Sequence, residues 1–154
     1  MNKHKQRQHL PAMLSALAIA MAGFGTASSA LAAGVTDEDI LKDAETTHQV
    51  LTHGLGTKGQ RYSPLAKVNP DTVKDLVPVW SFSFGGEKQR GQQSQPLIHD
   101  GKMFVTGSYS RIYALDTRTG KKLWKYEHRL PDGIMPCCDV INRGVALYGD
   151  LVIF

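Results

Sequence analysis

Cysteine is nearly missing: the 154 residues hold two, Cys137 and Cys138, and they are adjacent. An exported chain with this inventory must pair the two with each other or leave both free. No C-x-x-C-H, H-E-x-x-H or P-loop occurs, so covalent haem, helix-borne zinc and phosphate-cradling chemistry have no carrier here. His48, His53, His99 and His128 are scattered and read as surface or turn residues. Long apolar runs are lacking too. The best one, from Met13 to Phe24, is short and broken by Gly and Ser, below the roughly 20 residues of a membrane span.

Nor does either sign of charge dominate. The chain carries 18 Lys and Arg against 14 Asp and Glu, but Lys3, Lys5 and Arg7 form a basic head before the apolar run, and without them the count is 15 against 14. The remaining charges are mixed rather than clustered on a stripe, which excludes a nucleic-acid footprint. The basic head, the apolar run and the small-residue site Ala30-Leu31-Ala32 together have the form of a secretory signal over residues 1–32. Export bears on the cysteines. Consecutive Cα atoms lie about 3.8 Å apart, whereas disulfides usually span about 4.4 to 6.8 Å, so a bridge between neighbours must distort the backbone. The other reading is two small residues adjoining in a core; an oxidising compartment favours the bridge.

Residues 33–76 read as an N-terminal helix followed by an extended segment. Thr36 is a candidate N-cap with Asp37, Glu38 and Asp39 in the first turn, and Ile40, Leu41, Ala44, Thr47, Val50 and Leu51 recur at roughly helical spacing until Gly54 and Gly56. Pro64 and Pro70 predict extended chain, with a short helix over Pro70 to Asp75. From Val77 the pattern turns to strands. Val77 to Phe84 alternates with Trp80, Phe82 and Phe84 on one face, Asp100-Gly101 is a hairpin turn between Pro96–His99 and Lys102–Thr106, and Thr117 to Gly120 separates Ile112–Leu115 from Lys121–Glu127. Short strands at this spacing make 77–154 all-β: a sandwich, barrel or propeller. The run Gly149 to Phe154 is a turn and a β-prone stretch with no closing turn, the expected front piece of a longer chain.

Ala114 to Trp124 reads A-x-D-x-x-T-G-K-x-x-W. Asp116 and Thr119 suit a tight turn by bonding its amides, Gly120 supplies positive φ, and Trp124 offers an apolar plate for packing between sheets. Close behind stands Cys137-Cys138-Asp139-Val140-Ile141-Asn142-Arg143-Gly144. The first pattern resembles the tryptophan-docking motif of quinoprotein propellers, and the second the pyrroloquinoline quinone (PQQ)-dependent alcohol dehydrogenases. Arg90-Gly91-Gln92-Gln93-Ser94-Gln95 and Ser108-Tyr109-Ser110-Arg111 bring the likeness nearest to the ethanol-oxidising quinoproteins.

The resemblance implies an eight-bladed propeller, of which about one and a half blades are present after the short helical segment. It implies a vicinal disulfide between Cys137 and Cys138, a rigid platform for the planar quinone rather than an electron relay. Arg143 matches the Arg that faces PQQ, and a guanidinium suits the cofactor's carboxylates in charge and geometry. Asn142 and Asp139 read as turn and supporting residues. Gln93 stands where those enzymes have a Glu on the cofactor; it keeps size and an acceptor, adds a donor and loses the charge. Asp43, Thr46 and Gln49 match the D-x-x-T-x-x-D pattern of a structural calcium site, with a neutral third member. For the whole enzyme the resemblance implies periplasmic oxidation of a primary alcohol to an aldehyde. A Ca²⁺ or lanthanide ion polarises the quinone, an Asp beyond Phe154 acts as base, and a cytochrome c takes the electrons. A homodimer, and no nucleic-acid partner, complete the expectation. The competing readings are a non-catalytic PQQ-like propeller scaffold, against which the cysteine element argues, and an inactive remnant.

Overall fold

The computed structural model describes residues 34–85, 93–134 and 140–154. The expected signal segment, 1–32, and the pair Cys137 and Cys138 lie outside the described residues. Helix α1 (Asp37–Lys42) begins at Thr36 in a capping box: the Thr36 hydroxyl accepts from the Asp39 amide at 3.2 Å, and the Asp39 carboxylate accepts from the Thr36 amide at 2.9 Å. The acids of this first turn sit where the helix dipole favours them.

The helix is shorter than its periodicity predicts. It ends after six residues and a 3₁₀ turn, Asp43–Glu45, follows. Two competing partners explain this. The buried Asp43 carboxylate accepts from the Leu51 amide at 2.8 Å, the Thr52 amide at 2.9 Å and the Thr52 hydroxyl at 2.6 Å, which folds the chain back on itself. Val50 then exchanges backbone hydrogen bonds of 2.9 and 2.7 Å with Ile98, so the apolar pair Val50-Leu51 belongs to a sheet edge. The short helix predicted at Pro70 to Asp75 is a 3₁₀ turn, Val73–Asp75.

Strands β1 (Leu97–His99), β2 (Lys102–Gly107), β3 (Arg111–Asp116) and β4 (Lys122–Tyr126) form one antiparallel four-stranded meander in sequence order. β5 (Ala146–Tyr148) and β6 (Leu151–Ile153) form a two-stranded hairpin. The predicted turn Asp100-Gly101 joins β1 to β2 with φ of 48° and 68°, the left-handed pair a two-residue hairpin requires. The N-terminal segment is stitched to the hairpin: Val35 and Gly149 exchange backbone bonds of 3.0 and 2.7 Å. Gly34 permits the approach, since a Cβ there would lie 2.3 Å from the Gly149 carbonyl carbon.

Strand alternation sends residues to two cores. Phe104 and Ala114 face one way, with Leu97, Val35, Leu51 and Leu147. Val105, Tyr113 and Leu115 face the other, covered by Trp80, Phe82 and Phe84. The predicted alternation of 77–84 is therefore correct, with Val77 and Val79 on the exposed side at 75% and 82%. Its predicted ladder pairing is absent among the described residues: the arm is extended chain lying across the sheet face, held by ring contacts of Phe82 and Phe84 with Tyr113 at 5.5 and 5.2 Å.

Candidate cofactor-binding site

The turn between β3 and β4 is built as its residue types require. Asp116 Oδ1 accepts from the Arg118 amide at 3.1 Å, the Thr119 amide at 2.8 Å and the Thr119 hydroxyl at 2.7 Å. These bonds hold the carboxyl below the ordinary aspartate pKa, the Thr119 hydroxyl most of all, then the Thr119 amide. Gly120 takes φ 69° and closes the turn through its amide to the Asp116 carbonyl at 2.9 Å. A second demand on Gly120 comes from Trp80. A Cβ at 120 would lie 2.6 Å from the Trp80 indole carbons, and the indole Nε1 donates to the Thr117 carbonyl at 3.0 Å. The plate on this turn is thus Trp80, which motif reading did not assign. Trp124 is 39% exposed on β4, its ring 6.0 Å from Phe104.

At the other end of the meander, Thr106 joins two segments that the sequence separates by some fifty residues. β1 begins at Leu97, opposite Phe104, and beyond that point the Thr106 amide donates to Ser94 Oγ at 3.2 Å. The fully buried Thr106 hydroxyl donates to the Asn142 carbonyl at 3.1 Å. Gly144 closes the seam: a Cβ there would sit 3.7 Å from both Ser94 Oγ and the Gln95 carbonyl oxygen. Gln95 carries the seam onward, accepting from the Gly54 amide at 3.1 Å. Gln93 and Arg143 each flank this junction. Both side chains are exposed, and neither makes a hydrogen bond or ion pair among the described residues. The structure thus brings together the backbones that carry two of the four expected cofactor residues; Cys137 and Cys138 lie outside the described residues. Thr106 and Ser94, which make the junction, had only a weak signal: two hydroxyls where an apolar strand and a polar loop end.

The expected calcium ligands Asp43, Thr46 and Gln49 each have hydrogen-bond partners within the protein. Asp43 Oδ1 is taken by the Leu51 amide and Oδ2 by Thr52 and the Gly56 amide at 3.3 Å. The Thr46 hydroxyl bonds the Asp43 and Gln49 carbonyls at 3.2 and 3.3 Å, and the Gln49 side-chain oxygen meets His99 Nδ1 at 3.0 Å. Calcium needs several free oxygens converging on one point. In this structure Asp43 organises loop 51–56, Thr46 closes the turn between Asp43 and Gln49, and Gln49 ties that turn to β1; no cluster of three or more acidic, His or Cys side chains suited to a metal occurs among the described residues.

A four-stranded antiparallel meander is the form of a propeller blade, and the hairpin of β5 and β6 belongs to a second sheet. The chain belongs to the PQQ family of glucose, ethanol and alcohol dehydrogenase β-propellers, whose pattern it matches over residues 52–151. It is 67% identical over 122 residues to the quinoprotein alcohol dehydrogenase PedH of Pseudomonas putida, covering 79% of this chain and 20% of that one. It is 60% identical over 141 residues to the quinoprotein ethanol dehydrogenase of Pseudomonas aeruginosa, covering 92% and 22%. The 1-butanol dehydrogenase (cytochrome c) of Thauera butanivorans is 48% identical over 99 residues, 63% of this chain and 14% of the relative. Among solved structures, a europium-containing methanol dehydrogenase superposes with a TM-score of 0.66 at 29% identity, covering 75% of this chain and 21% of that one. The chain spans between about a seventh and a quarter of the length of the curated relatives it matches.

Proposed function

We propose that this chain is part of a PQQ-dependent alcohol dehydrogenase that oxidises primary alcohols to aldehydes, and that the junction at Thr106 is one wall of its cofactor cradle. The observation that carries this is the exposed Arg143, without a partner among the described residues, on a segment pinned against Ser94-Gln95, the residues that follow Gln93 in the chain. Such a set fits an anionic, planar ligand. Arg143 is a carboxylate partner with a fixed fork of donors, and Gln93 both donates and accepts without adding negative charge. Bound there, PQQ supplies a two-electron acceptor for the alcohol. Cys137 and Cys138, five and four residues before Asn142, are assigned to the same cradle as a vicinal disulfide platform, on the strength of their place in the sequence.

In this reading the residues at the junction bind and orient the cofactor, and proton removal is assigned to an Asp base elsewhere in the enzyme. Export through residues 1–32 to the periplasm, a Ca²⁺ or lanthanide ion at the quinone, and a cytochrome c acceptor belong to the same proposal; the acceptor is supported by the name of the butanol-oxidising relative and the lanthanide by that of the structural neighbour. The test is reconstitution of the full-length protein with PQQ in calcium or in a lanthanide salt, with ethanol-dependent dye reduction as the readout. Activity in either metal supports the reading. Failure to bind PQQ in both would leave a propeller scaffold.

A further inference from the structure

Asn142 is fastened by three of its own groups. Its carbonyl accepts from the buried Thr106 hydroxyl at 3.1 Å, its Nδ2 donates to Ser110 Oγ at 3.2 Å, and its Oδ1 accepts from the Gly144 amide at 2.9 Å. The receiving end of the meander is itself unusual. Tyr109 and Ser110 are consecutive non-glycine residues at φ 59° and 55°, a conformation that persists only where its surroundings hold it. The Tyr109 amide donates to the Val140 carbonyl at 2.8 Å, so the turn between β2 and β3 grips residues 140 and 142 at once. Arg143 stands between the clasped Asn142 and Gly144, exposed and without a partner among the described residues.

A long cationic side chain loses rotamer freedom when it binds a ligand, and a rigid stem reduces what remains to be ordered. Three bonds on the residue before Arg143, one reaching to the residue after it, are a way to fix that stem. We propose that Asn142 is a positioning residue that holds Arg143 ready for the carboxylates of the cofactor; this rests on the cofactor reading given above. Asn142 touches no reacting atom. Its effect passes through the backbone on which Arg143 is mounted.

The experiment is equilibrium binding of PQQ to the full-length apoenzyme in calcium buffer, followed by tryptophan fluorescence quenching, for Arg143→Ala, Asn142→Ala and the double variant. Asn142→Ala is expected to raise Kd about tenfold, the lower range for loss of a residue that supports a ligand-contacting group. In the Arg143→Ala background it is expected to add nothing, because the stem then carries no guanidinium. Wild-type binding by Asn142→Ala, or an equal loss with and without Arg143, overturns the proposal. Unchanged binding by Arg143→Ala alone overturns the assignment of Arg143, and the proposal with it. Should Asn142→Ala fail to fold, Thr106→Val and Thr106→Ser carry the same comparison: Ser retains the hydroxyl that holds the Asn142 carbonyl and is expected to bind as wild type, while Val is expected to weaken binding only where Arg143 is present.

Discussion

At the scale of single residues, identity matters most where a side chain meets two demands at once. Gly120 must supply φ 69° and leave room for the Trp80 indole. Gly120→Ala is therefore expected to cost more than a strained turn alone, about 2 to 3 kcal/mol, read as a lower urea midpoint in the full-length protein. A loss below about 0.5 kcal/mol, the range of ordinary surface substitutions, would show that Trp80 can move aside at little cost. Asp43 is a second case. Its carboxylate serves amide donors at Leu51, Thr52 and Gly56, and Asp43→Asn would turn an NH₂ toward some of them. Faster hydrogen exchange at Leu51 and Gly56, with a loss of about 2 kcal/mol, is the expected result. Gln93 asks for the opposite outcome. It is exposed, so Gln93→Glu is expected to leave PQQ binding within roughly a factor of three, as befits a solvated charge. A larger loss would show a site adapted to a neutral group.

At the scale of elements, the β3–β4 turn carries a pH dependence of known sign. Asp116 is held below the ordinary aspartate value by Thr119 and the turn amides. A carboxyl lowered in the folded state contributes stability that is fully present above its unfolded value and is lost as pH falls through the lowered folded one. The turn is thus expected to be indifferent near neutrality and to loosen only on the acid side. NMR titration of the Asp116 carboxyl checks this, and Thr119→Ala is expected to move its midpoint upward; an unmoved midpoint would remove the hydroxyl as the cause. The elements also show why residues 34–51 were half legible. The capping box at Thr36 is local and was readable, whereas the early end of α1 depends on Asp43 reaching Leu51 and on Val50 pairing with Ile98. Helical spacing cannot outweigh partners contributed by distant chain.

At the scale of the whole molecule, apolar surface decides. The exposed flank of β4 presents Leu123, Trp124 and Tyr126, and the arm presents Val77 and Val79. β4 is an edge strand with unpaired backbone groups among the described residues, the kind of surface that recruits other chains. Residues 33–154 expressed alone are therefore expected to self-associate, as measured by sedimentation. A monomer with cooperative unfolding would sink that expectation and show that these faces tolerate water.

What the sequence determined by itself is whatever neighbouring residues settle between themselves. The turns at Asp100-Gly101 and Asp116 to Gly120 follow from residues needing positive φ and side chains that cap nearby amides, and the strands between them follow from alternation. The family followed too, because the docking turn and the cysteine element lie at a short, characteristic spacing. Tertiary structure alone decided that Trp80 covers the turn, that Asp43 organises the loop from Leu51 to Gly56, and that Thr106 binds Ser94 to Asn142. Those bonds join residues tens of positions apart, and which of many available donors and acceptors meet is set by the sheet that brings them within reach.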